Sequence, residues 1–64
     1  MNFPVGCKVK YNADYIQRFG AFNPNHKRLR GEVIEVQGDL RKVKWNDADI
    51  VPSFTNICNL APHG

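Results

Sequence analysis

Turn-forming residues interrupt this chain so often that only short extended segments, and at most one short helix, fit between them. Gly6, Gly20, Asn23-Pro24-Asn25, Gly38-Asp39, Asn46-Asp47 and Pro52 each mark a place where the backbone reverses or breaks. Between these marks Cys7, Val9 and Tyr11 alternate with Lys8 and Lys10, and Val43 and Trp45 alternate with Lys42 and Lys44. That is the period of strands with one buried face. The first strand is predicted over residues 5–12. Asn12 is placed to cap a short helix over Ala13 to Phe19, where Tyr15, Ile16 and Phe19 share one face and Gly20 stops it. A long excursion through Asn23-Pro24-Asn25 leads to a second strand over residues 30–37. There the adjacent Val33 and Ile34 break the alternation and predict a bulge or bend. Gly38-Asp39 joins this strand to a third, residues 40–45, as an antiparallel hairpin. Ile50-Val51 reads as a short strand ended by Pro52, residues 53–56 as a single helical turn, and residues 57–60 as the last strand.

A chain of 64 residues carries one domain with one small core, which argues against a deep, self-contained catalytic cleft. Five short strands with hardly any helix predict an all-β fold closed into a small barrel, because closure removes sheet edges that so short a chain cannot cover. No segment approaches the roughly 18 apolar residues of a membrane helix, and the N-terminal residues lack a basic region followed by an apolar one; the expectation is a soluble, cytoplasmic protein. Cys7 and Cys58, with His26 and His63, match no zinc pattern, and no metal or cofactor is expected. The two cysteines sit on the first and last expected strands, so a bridge is geometrically conceivable. Two free, largely buried thiols is the plainer reading.

Four segments carry a resemblance. Val5-Gly6-x-Lys8-Val9-x-Tyr11, Arg30-Gly31-Glu32-Val33-Ile34-Glu35-Val36, Val43-Lys44-Trp45-Asn46-Asp47 and Asn59-Leu60-Ala61-Pro62, in that order, resemble the SH3-like barrels of the KOW and Tudor kind. The resemblance spans nearly the whole chain except residues 12–28. It implies a five-stranded SH3-like barrel with one short helix or ordered loop between strands 1 and 2, of the size of small accessory proteins of bacteriophages and bacteria. Such barrels bind RNA, DNA, ribosomal and polymerase surfaces, methylated tails and other proteins, so fold alone does not select a partner.

Charge narrows the choice. Residues 1–31 carry Lys8, Lys10, Arg18, Lys27, Arg28 and Arg30 against Asp14 alone, a net +5, whereas residues 32–64 are net −2. The cluster Lys27-Arg28-Leu29-Arg30, with Lys8, Lys10, Lys42 and Lys44 on outward faces, is expected to form a basic face able to track a phosphate backbone. The alternative reading of these cations is a solubilising surface that protects sheet edges. In the excursion Tyr15 is the best candidate to stack on an unpaired base, with Arg18 and Arg28 holding phosphates, while Phe19 and Phe22 are expected to cap the open end of the barrel. Trp45, Tyr11 and Asp47 could suggest a methyl-lysine cage, but their alternation with Val9 and Val43 is that of core residues.

Catalysis finds no support: no nucleophile stands beside a general base, His26 lies in a polar turn and His63 in the tail. The primary expectation is therefore a non-catalytic nucleic-acid-binding accessory protein. The rival is a protein-binding regulator, such as a phage-encoded inhibitor of a host complex, docking through the residue 12–28 excursion or an exposed edge. A monomer or a weak homodimer fits either.

Overall fold

The computed structural model describes residues 2–20 and 24–63. Phe22 and Asn23 lie outside the described residues, and with them the expectation that Phe22 caps the core. The chain runs β1 (Lys8–Tyr11), α1 (Ala13–Phe19), a 3-10 turn (Pro24–Arg28), β2 (Gly31–Gln37), β3 (Leu40–Trp45), β4 (Ser53–Asn56), a second 3-10 turn (Ile57–Asn59) and β5 (Leu60–Pro62). The strands form one antiparallel sheet in the order β4-β3-β2-β1-β5. β4 and β5 are its two edges and are not paired with each other, so the ladder does not close into the expected barrel. At four and three residues, these edge strands are the shortest way to end a sheet, and the single turn Ile57–Asn59 carries the chain from one edge to the other.

Local chemistry accounts for each element. Asn12 caps α1, its side-chain oxygen accepting from the backbone N–H of Tyr15 at 2.8 Å, and its amide donates to the carbonyl of Cys58 at 2.7 Å, tying the helix start to the entrance of β5. Gly20 ends the helix, donating to the carbonyl of Ile16 at 2.7 Å. The register of β2 against β3 slips between Val33 and Glu35, leaving Ile34 as the bulge that the broken alternation predicts. Gly38 opens the hairpin turn with φ +58°, the left-handed conformation that the first place of a type II′ turn requires.

Three sequence assignments are corrected in the last third of the chain. Residues 53–56 form β4 rather than a helical turn, and Ile50-Val51 forms no strand. β5 begins at Leu60 and runs on to Pro62, while residues 57–59 form the turn. Asn56 explains the shift: its side chain accepts from the N–H of Cys58 at 2.9 Å and caps a turn that ends three residues later than the apolar pattern suggested.

The core gathers Phe3, Val9, Leu29, Val33, Val43, Trp45 and Leu60, with Cys7, Tyr11, Ile50 and Ile57 packed against it. The inward residues of β3 are Arg41, Val43 and Trp45, and Arg41 is only 5% exposed. Its guanidinium meets backbone oxygens: Nε donates to the carbonyls of Asn2 and Phe3 at 2.8 and 2.9 Å, and Nη1 to those of Gly38 and Leu40 at 2.6 and 2.8 Å. Arg41 is thus a buried clamp joining the N-terminal segment to the β2–β3 turn.

Candidate functional site

The outward face of the sheet does not carry a continuous cationic stripe. Lys8-x-Lys10 and Lys42-x-Lys44 lie on β1 and β3, and β2 runs between those strands. The register sets Glu32 opposite both Lys8 and Lys44, and sets Glu35 beside Lys42, which in turn faces Phe54 on β4. Lys8 is ion-paired to Glu32. The hydrogen bond and charge of Lys8 hold the Glu32 carboxyl below its ordinary range, and Lys44 adds to the effect. Lys42 lies 6.0 Å from the centre of the Phe54 ring. Carboxylates interleaved with lysines cancel most of the field that a phosphate backbone would feel. The expectation of one continuous patch from these four lysines is therefore corrected, although Lys10, opposite Ala61 on β5, is in no ion pair among the described residues.

The excursion between β1 and β2 is different. Lys27 and Arg28 are exposed on the 3-10 turn, and neither is ion-paired among the described residues. Arg30 follows, with Nη1 folded back onto the carbonyls of Lys27 and Leu29 at 3.2 and 2.8 Å. Arg18 stands on the last turn of α1 and pairs with Asp14 at 2.7 Å across one helical turn, both side chains being exposed.

Beside these cations stands a column of rings that the sequence reading did not assemble. Tyr11 stacks on Trp45, centroids 4.5 Å apart and planes at 23°. Tyr15 stacks on Tyr11 at 3.9 Å and 10°, and Phe19 follows, tilted, at 4.9 Å from Tyr15. His26 lies against Tyr11 and Tyr15 at 5.2 and 5.8 Å, its Nδ1 3.3 Å from the Tyr15 hydroxyl. Burial, with the neighbouring Tyr15 adding to it, pushes the Tyr11 hydroxyl up to about 12. The signal in the sequence was Tyr11, Tyr15 and Phe19 at intervals of four, which crosses the strand–helix boundary and so belongs to no single periodicity. Phe19, expected in the core, is 45% exposed, whereas Trp45 at the other end is 6% exposed.

This geometry decides against the cage. A methyl-lysine cage needs free ring faces converging on one cation, but Tyr11 is stacked on both sides, by Trp45 and Tyr15. Trp45 instead borders a groove of about 390 Å³ to which Lys8, Arg30, Lys44 and Glu32 also contribute. Both cysteines are free, and Cys58 is exposed rather than buried. Because Tyr11 pairs with Leu60 and Val9 with Pro62, Cys58 and Cys7 stand beyond opposite ends of the β1–β5 ladder, out of bridging reach. Among the described residues no group of three or more His, Cys, Asp or Glu could hold a metal ion, and no helix is long and apolar enough to cross a membrane.

Compared with protein-family models, with curated proteins and with solved structures, the chain matches none.

Proposed function

We propose that this chain is a non-catalytic nucleic-acid-binding accessory protein whose contact surface is the corner formed by α1 and the Pro24–Arg28 turn, not the broad face of the sheet. The carrying observation is the juxtaposition of exposed, unpaired Lys27 and Arg28 with a column of stacked rings, while the sheet lysines alternate with carboxylates. Cations held in no ion pair release counterions when they neutralise phosphates, which supplies sequence-independent affinity, although Arg28 shares a shallow groove with Asp47. In this reading the fold is an SH3-like barrel of the KOW and Tudor kind, left open between its edges. The pairing of first and last strands, the bulged hairpin and the single turn before β5 support it. The protein would act in the cytoplasm, with Arg18, Arg30 and Lys10 flanking the contact.

Binding to a labelled oligonucleotide, followed against salt, tests this. Affinity should fall steeply with salt, Arg28→Glu should weaken it for every sequence alike, and Lys42→Glu should change it little. No retention at low salt, or a flat salt response, removes the proposal.

A second reading keeps one observation of its own. Leu40 and Phe54 are exposed on the outward face beside the open β4 edge, the kind of surface a protein-binding regulator would dock through. A stoichiometric protein partner that survives nuclease treatment would favour it.

A further inference from the structure

Three rings of the aromatic column have no face to offer. Trp45 is buried, Tyr11 is covered on both sides, and Tyr15 lies between Tyr11 and Phe19. The last ring differs. Phe19 ends α1 next to Gly20 and remains 45% exposed, on a helix none of whose residues is buried. Core packing therefore does not explain a phenyl ring at this position, and the helix would form as well with an aliphatic residue there. What the ring adds is a half-exposed π surface at the end of the column, tilted 44° to Tyr15.

We infer that the nucleic acid is bound single-stranded, with an unpaired base stacking on Phe19 as the next ring of the column; this rests on the proposed function above. Every base presents a π face, so the contact is tolerant of sequence. In a duplex each base is already stacked and paired, and reaching it would require extrusion. The neighbouring cations fit the same ligand: Arg18, paired with Asp14, is on the preceding position of the helix, and Lys27 and Arg28 follow His26 on the Pro24–Arg28 turn, available to the phosphates on either side of a stacked base. The lower rings hold the platform rigid. Trp45 is anchored in the core, Asn12 fixes the backbone at Tyr15, and the Tyr15 hydroxyl meets His26.

Fluorescence anisotropy with three probes of equal length distinguishes the possibilities: a single-stranded oligothymidylate, the same strand annealed to oligoadenylate, and a strand of abasic sites that keeps the phosphates and lacks the bases. The single strand should bind tightest. Phe19→Leu, which keeps an apolar side chain, should weaken that binding by about 5- to 150-fold, the span of one base–aromatic stack, without changing the salt slope, and Phe19→Trp should restore it. Equal affinity for the abasic strand or the duplex, or no effect of Phe19→Leu while Arg28→Glu still weakens binding, overturns this inference and leaves the nucleic-acid reading standing. Binding to none of the three probes overturns both.

Discussion

Arg41 illustrates how a single side chain can change role between sequence and structure. The sequence reading took the alternation only from Val43 and Trp45 and did not extend it back to Arg41, which shares their inward face despite its charge. The backbone resolves the conflict by presenting carbonyls from both Asn2–Phe3 and the hairpin turn, and no carboxylate is paired with the guanidinium among the described residues. Phe3 is buried with φ +48°, a left-handed conformation that costs a non-glycine residue and is maintained here by burial and by the Arg41 contact. Arg41→Met should therefore lower stability by about 1–3 kcal/mol, because it leaves carbonyls unpaired. Urea unfolding measures this, and an unchanged midpoint would contradict the clamp. Tyr11 makes a second prediction. Its hydroxyl is pushed up to about 12, so between its ordinary value near 10 and 12 the unfolded chain releases a proton that the folded chain retains. Stability from this group is complete below pH 10 and declines as pH rises through that window. Tyrosinate absorbance should reveal one late-ionising tyrosine that Tyr11→Phe abolishes; if every tyrosine ionises near 10, the stack does not shield Tyr11.

At the scale of elements, legibility followed how local the determining interaction is. β3 and α1 were readable because alternation, the Asn12 cap and the Gly20 stop all lie within the segments they define. The β2 bulge was readable for the same reason, from adjacent Val33 and Ile34. The region after residue 46 was not, because an Asn56 side-chain contact, rather than apolar periodicity, decides where β4 ends and the turn begins. Gly31 shows a non-local cause. It pairs with Val9 on one side and Trp45 on the other, and a Cβ there would meet Val43 Cγ1 at 2.5 Å and Trp45 Cε3 at 2.9 Å. The glycine lets Trp45 lie close against β2, which seats the first ring of the aromatic column. Gly31→Ala is expected to cost about 1–3 kcal/mol through overpacking and to disturb the Trp45 fluorescence. A variant of wild-type stability and spectrum would mean the ring is not seated by this close approach.

For the whole molecule, the asymmetry of charge between the two halves of the sequence survives folding only in part. Sheet pairing brings Glu32 and Glu35 from the second half against Lys8, Lys42 and Lys44, so the outward face is mixed. Lys27 and Arg28, in no ion pair among the described residues, lie on the turn whose His26 stands against the ring column. Individual candidate residues were readable from sequence, but their grouping was not, because it depends on which strand lies between which. The most direct check of the corner as the contact surface is a map of amide chemical-shift changes on adding a single-stranded oligonucleotide. The account predicts changes concentrated in residues 12–20 and 26–31, with Lys42, Phe54 and the β4 edge unaffected; changes centred on β3 and β4 instead would contradict it.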